Sequence, residues 1–420
     1  MKMVIHSRLC TQLPVYHGIF MKHKKKSFSM FRGVYVQFRN FHSFKQKIQI
    51  NGEALYPRWF SVAPMMGWTD NHYRTLARLM SKHAWLYTEM VVAETIVHQK
   101  DDLDRFLAFS VEQHPVVLQI GGSNLKNLAK AAELANFYSF DEINLNCGCP
   151  SDKVAGHGCF GASLMFNPKL VGDAMSTIAA NSDIPVSVKC RIGVDYRDSY
   201  NELCDFISEV SSRSPTKHFI IHARKALLNG LSPAANRKVP PLKYEYYFAL
   251  LRDFPELQFT LNGGITSIEQ VDAALGKGAS GVMVGRAAYN NPWYTIGRVD
   301  GAIYGVPSHN LSRRQILEQY EVYADSICEK YGSKRVNVRQ LVKPLLNLFH
   351  SEPGNGQWKR MADAALKHCK TVKSFLEETL VALPDNVLDS TIVNSPLSHE
   401  GQFSDANALF PPPYKSMQSI

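Results

Sequence analysis

The sequence predicts an α/β protein: a (β/α)8 barrel followed by a small all-helical domain, in a chain of 420 residues. Three observations lead there. Eight short apolar runs alternate with helical patterns from Trp59 onward, the order expected of parallel strands joined by crossover helices. The first run leads into Ala63-Pro-Met-Met-Gly67, which is not the Gly-rich phosphate turn that opens a doubly wound sheet. Six runs end in a polar or chemically useful residue (Glu89, Gln119, Asn146, Lys189, His222, Asn262), as the working rim of a barrel does.

In chain order the expected strands are Phe60 to Met65, Leu86 to Met90, Val116 to Ile120, Glu142 to Asn146, Val186 to Arg191, Phe219 to Ala223, Gln258 to Asn262 and Gly281 to Gly285. Helical periodicity between them, at Leu125 to Tyr138, Pro168 to Ala180, Tyr200 to Ser211 and Ser267 to Leu275, supplies the crossovers. After Trp293 only helical patterns remain: Ile316 to Tyr331 behind a Ser312 cap, Val338 to Phe349, and Lys359 to Leu376. The expected organisation is a leader at 1–55, a barrel at 56–300, a helical domain at 310–380 and a disordered, Ser-, Asn- and Pro-rich tail at 381–420.

Charge is unevenly spread. Of the net +10, all comes from residues 1–50, which hold ten Lys or Arg and no acid, leaving 37 bases against 37 acids. Such a leader resembles an organelle transit peptide, mitochondrial or plastid; the other reading is a basic arm that binds RNA. Residues 310–373 carry twelve bases and six acids, a local surplus suited to holding a polyanion while part of it enters the barrel. No stretch of 18 apolar residues is present, so no membrane-spanning helix is expected. The eight cysteines include no C-x-x-C pair and no zinc-type spacing with histidines, so no metal site is expected.

The last two strands lead into Asn262-Gly263-Gly264-Ile265 and Gly285-Arg286. Barrels that bind phosphorylated cofactors use these loops, where glycines let backbone N–H groups approach the anion. A mononucleotide flavin fits, with Arg286 on the phosphate. Lys189 is a charged residue in an interior run, suited to stabilising an anionic reduced flavin, or else to an internal ion pair with Glu89. Gln119 and His222 can donate to the flavin while Pro64, Met65 and Met66 pack on its back face. The loop Asn144-Leu-Asn-Cys-Gly-Cys149-Pro-Ser puts a thiol on the same rim. A neutral thiol can protonate one carbon of a pyrimidine double bond while a hydride reaches the other; a small buried hydrophobe is the alternative.

These residues resemble the tRNA-dihydrouridine synthases, most closely their bacterial A-type branch. The likeness runs from about Phe60 to Met361 and is carried by Ser61-Val-Ala-Pro-Met-Met, Leu86-Tyr-Thr-Glu-Met, Leu118-Gln-Ile-Gly-Gly, Glu142-Ile-Asn-Leu-Asn-Cys-Gly-Cys-Pro-Ser, Val188-Lys-Cys-Arg-Ile-Gly, Phe219-Ile-Ile-His-Ala-Arg-Lys, Gly230-Leu-Ser-Pro and Gly281-Val-Met-Val-Gly-Arg. The resemblance implies bound FMN, NADPH as reductant, and hydride transfer from flavin N5 to C6 of a D-loop uridine at position 20 or 20a, with Cys149 protonating C5. It implies that Asn146 and Arg191 hold the flipped-out uridine, and that Asn236, Arg237, Arg339 and Lys343 contact the tRNA. The chain departs from the pattern at Gly67, where aspartate is usual, at Ser163, where bacterial members often carry a second cysteine, and at Lys343, near an expected arginine.

Overall fold

The computed structural model describes residues 48–50, 53–55, 57–156, 160–307, 310–332, 336–392, 397, 403 and 410–415. Most of the basic leader and much of the C-terminal tail lie outside the described residues; within the leader, Ile48–Ile50 and Glu53–Leu55 pair as an antiparallel hairpin.

Eight parallel strands close into a barrel: β1 Phe60–Val62, β2 Trp85–Tyr87, β3 Val116–Gly121, β4 Glu142–Cys147, β5 Val186–Arg191, β6 His218–His222, β7 Gln258–Asn262 and β8 Gly281–Val284. Each pairs with the next, and β8 returns to β1, so no sheet edge remains open within it. A two-residue strand, Val91–Val92, adds to the end of β3. The predicted strands agree to within a few residues at their ends.

Side chains alternate between two burial environments, as strand geometry requires. Ile143, Leu145, Val188 and Cys190 join the large apolar cluster shared with the surrounding helices. The barrel interior is divided in character. Trp85, Tyr87, Val117, Ile220 and Met283 form a separate apolar cluster, whereas β4 and β5 place Glu142, Asn144, Ser187 and Arg191 in buried positions on the other register.

The crossover helices Leu125–Ala135, Pro168–Ala180, Tyr200–Arg213 and Ile268–Gly276 fall where periodicity put them. Side-chain caps explain their starts: Asn124, Asn167, Ser199 and Ser267 each accept from a first-turn N–H. Beyond the barrel the helix Arg313–Tyr331 begins at a Ser312–Gln315 capping box. It packs on Asn71–Met80, where His72 Nδ1 lies 2.9 Å from the Tyr323 hydroxyl.

Two expected helices are shorter or divided. Val338–Val342 gives way to a 3₁₀ turn at Lys343–Asn347, because Pro344 cannot donate to Gln340 and its ring crowds that carbonyl. The run from Lys359 to Leu376 is two helices, Asn355–Ala365 and Val372–Thr379, the second capped by Thr371. The tail also departs from expectation where it is described. Asp385–Leu388 is helical, with Val387 and Leu388 buried. Phe403 packs edge-on to Tyr244 and Phe248, and Tyr414 stacks on Phe254 while its hydroxyl donates to Asp205 at 2.8 Å. A few aromatic anchors hold these described segments against the barrel wall. No helix among the described residues is long and apolar enough to cross a membrane.

Candidate active site

Barrel register brings the predicted residues side by side. Gln119 lies opposite Asn144, Asn146 opposite Lys189, Arg191 opposite His222, and His222 opposite Asn262. All sit at or near the carboxyl ends of their strands, the rim on which barrels build active sites.

Cys149 is half-buried in the loop after β4. Its N–H donates to Asn146 Oδ1 at 3.0 Å, and Gly148 N–H donates to the same oxygen at 3.2 Å. On the far side its carbonyl accepts from Ala162 N–H at 2.9 Å. Gly161 permits that contact: it has φ +69°, and a Cβ there would lie 2.7 Å from the Cys149 oxygen and 2.6 Å from Val154. Arg191 braces the loop from the next strand, its Nε donating to Gly148 O at 2.8 Å and its Nη1 to the carbonyls of Lys225 and Asn236.

Asn146 and Arg191 therefore hold the protein's own backbone, a use that residue type alone did not reveal. Asn236 is corrected more fully. It is fully buried, and its amide exchanges hydrogen bonds with both the N–H and the C=O of Leu227, at 2.8 Å each, while also reaching Leu231 O. This side chain staples the loop after β6 from inside and has no face toward RNA. Arg237, its neighbour, is exposed.

Across the mouth Lys189 Nζ donates to Asn262 Oδ1 at 3.0 Å, and Asn262 Nδ2 donates to Met283 O at 2.8 Å. The alternative ion pair with Glu89 does not form; that carboxylate accepts instead from Gly67 N–H. Burial, reinforced by Arg191, pushes the Lys189 ammonium down to about 8. Burial and the cations Arg191, Lys189 and Arg224 hold His222 well below its ordinary value, so its imidazole is neutral. Its Nδ1 is buried without a hydrogen-bond partner.

The loops after β6, β7 and β8 gather cations. Arg191 is pushed down to about 10 by burial, then by Arg237 and Arg224; Arg224 and Arg237 are each lowered by burial and by Arg286. Arg286 Nη2 reaches Arg237 O at 3.4 Å. Arg224 donates from Nη1 to Pro240 O, while its Nε is buried and unpartnered. The glycines beside these arginines have little room: Gly264 has φ +77°, and a Cβ there would meet the Tyr244 hydroxyl at 2.5 Å. Gly263 gives its carbonyl to that hydroxyl at 2.8 Å, and Gly285 faces Ala63 and Met65. Pro64 and Met65 are half-buried, and Met66 is 65% exposed.

A flavin mononucleotide suits this set. An orphaned imidazole nitrogen, an orphaned guanidinium N–H, a lysine whose charge burial opposes and mutually repelling arginines all lack something that an anionic, hydrogen-bonding ligand would provide; each unmet buried polar atom costs about 1–3 kcal/mol. Arg224 escaped the sequence reading although its motif was noted. So did Glu142, Asn144 and Ser187, for which a signal existed: polar residues at every second position of a buried strand.

The helical region meets the first rim loop directly. Lys343 is half-buried and donates to Gly67 O, from the residue whose N–H Glu89 holds. Arg339 is exposed on Val338–Val342. Ser163, the other departure, donates to Phe160 O at 2.9 Å.

Comparison with known proteins places this architecture. The family model for dihydrouridine synthase matches residues 61–387. A tRNA-dihydrouridine(20/20a) synthase of Shewanella oneidensis is 45% identical over 314 residues, covering 75% of this chain and 90% of the relative. Proteins of the same name from Escherichia coli O6:H1 and Vibrio vulnificus are 46% and 43% identical over 308 and 328 residues, covering 73% and 78% of this chain and 90% and 97% of theirs. A closed barrel, a thiol on its rim and this extent of likeness together make the chain a member of the dihydrouridine synthase family.

Proposed function

We propose that the protein is an FMN-dependent, NADPH-driven tRNA-dihydrouridine synthase that reduces D-loop uridine 20 or 20a, with Cys149 as the proton donor to C5. The observation that carries this reading is the half-buried Cys149, whose loop is held on the same rim as a cluster of cations with unmet hydrogen-bonding groups.

Gly263, Gly264, Gly285 and Arg286 would hold the FMN phosphate, with Arg224 and Arg237 adding charge. Gln119, Lys189, His222 and Asn262 would take the polar edge of the ring, and Pro64, Met65 and Met66 its apolar face. Bound there, FMN supplies the hydride for uridine C6. Lys189 offers positive charge where negative charge collects on reduction. Cys149 gives its proton to C5 as a general acid, and Asn146 and Arg191 set the thiol's position through the loop backbone. Exposed Arg339 and half-buried Lys343 on the helical region, with exposed Arg237 on the barrel loop after β6, would contact tRNA phosphates and keep the tRNA in register. The acid-free leader fits import into an organelle.

The test uses purified protein, NADPH and unmodified transfer RNA, with dihydrouridine mapped by position. The product is expected at 20 or 20a, from a yellow enzyme. A folded protein without flavin, or with flavin and no dihydrouridine at these positions, would overturn the reading.

A further inference from the structure

A file of buried polar groups runs from the floor of the barrel to the Cys149 loop, and every bond in it points the same way. Cys149 N–H donates to Asn146 Oδ1 at 3.0 Å; Asn146 Nδ2 donates to Gln119 Oε1 at 2.9 Å; Gln119 Nε2 donates to Asn144 Oδ1 at 2.8 Å; Asn144 Nδ2 donates to Ser187 Oγ at 2.7 Å; and Ser187 donates to the Glu142 carboxylate. Glu142, Asn144, Gln119 and Ser187 are all at most 1% exposed, so water does not compete.

Three carboxamides in series could in principle point either way. Here the floor decides. Glu142 is ringed by Arg58 at 2.9 Å, His218 at 3.2 Å and the Tyr87 hydroxyl at 3.3 Å. Although burial opposes its charge, Arg58 and His218 hold the carboxyl down to about 2. An ionised carboxylate only accepts. Ser187 must therefore donate to it, which turns the hydroxyl lone pair toward Asn144. Asn144 must then point its NH₂ at Ser187 and its oxygen at Gln119, and the same choice passes through Gln119 to Asn146.

At the upper end the consequence is specific. Asn146 presents oxygen, and only an oxygen can receive the N–H groups of Gly148 and Cys149 together. With the file reversed, its NH₂ would face two N–H donors, and both would lose their partner at a cost of about 1–3 kcal/mol each.

We propose that Glu142 is a positioning residue for Cys149, its negative charge setting the direction of the file through Ser187, Asn144 and Gln119 and so the placement of the thiol-bearing loop. Its effect on turnover rests on the proposal that Cys149 is the proton donor; its effect on the loop does not.

The test measures peptide-resolved hydrogen exchange of the full-length, FMN-loaded enzyme, with tRNA reduction alongside. Glu142→Gln and Ser187→Ala should each speed exchange of the Gly148 and Cys149 amides at least tenfold, with FMN content and the protection of the helix Arg313–Tyr331 unchanged. The double variant should exchange no faster than Ser187→Ala, because both changes act on one file. Ser187→Thr, which keeps the hydroxyl, should restore protection. Reduction of uridine should fall at least tenfold while reduction of flavin by NADPH keeps its rate. Unchanged loop exchange in the single variants, or multiplying effects in the double variant, would overturn the proposal. If Glu142→Gln fails to fold, the Ser187→Ala and Ser187→Thr pair decides it. Faster loop exchange with undiminished uridine reduction would support the positioning role and overturn Cys149 as the donor.

Discussion

Lys189 carries a charge that its surroundings oppose, with a neutral amide as its hydrogen-bond partner and Arg191 nearby. Between its folded value of about 8 and the ordinary 10.5, the unfolded chain binds this proton and the folded one does not. Its contribution to the stability of the cofactor-free protein therefore rises with pH across that window. An anion bound beside it reverses the preference. FMN affinity is thus expected to fall by up to about tenfold per pH unit above 8, followed by fluorescence titration between pH 8 and 9. Lys189→Met should bind more weakly with that dependence removed; an unaltered pH dependence in the variant would place the titrating group elsewhere. Asn236 makes a different forecast. Replacing it with alanine leaves the backbone groups of Leu227 without partners and should cost about 2–3 kcal/mol in denaturant unfolding, while the salt dependence of tRNA binding stays unchanged. Sequence reading assigned Asn236 to the RNA because residue type and motif position do not say which way an amide faces. The same limit applies to Arg191, whose partners are backbone groups of loops remote in sequence, and to Asn146, which turns back on the N–H groups of its own loop.

The strands and most crossover helices were legible because each carries a local signal: an apolar run ended by a polar rim residue, or a cap ahead of a 3.6-residue period. The divided helices were missed where a local breaker competed with periodicity, Pro344 in one case and the Thr371 cap in the other. The loop after β4 shows what such signals omit. Its shape depends on Gly161, twelve residues beyond Cys149, whose missing side chain leaves room for the Cys149 carbonyl. Gly161→Ala combines a left-handed φ with contacts below 3 Å, so it should destabilise the protein by more than about 1 kcal/mol. It should also slow tRNA reduction more than it slows reduction of the flavin by NADPH. Equal slowing of both steps would mean that the strain spreads beyond the Cys149 loop.

At the scale of the molecule, the barrel and helical region share a seam at the site. Lys343 and Glu89 hold the two sides of Gly67, and Tyr323 meets His72, so the cationic helices are tied to the first rim loop. Charge surplus between 310 and 373 was readable from the sequence; the contact through Gly67 was not, since it depends on two segments 276 residues apart. Arg339→Ala should weaken tRNA binding and lower the magnitude of its salt slope by about one without touching the rim. Lys343→Met should weaken binding and also alter hydrogen exchange around Gly67. An Arg339→Ala variant with unchanged tRNA affinity would remove that face of the helical region from the interface. The central claim, that a rim thiol completes a reduction begun at a flavin in the same barrel, is tested most directly by Cys149→Ala assayed in two half-reactions. The account predicts flavin reduction by NADPH at the wild-type rate and no dihydrouridine in the transfer RNA. Dihydrouridine formed by Cys149→Ala at the wild-type rate would contradict it.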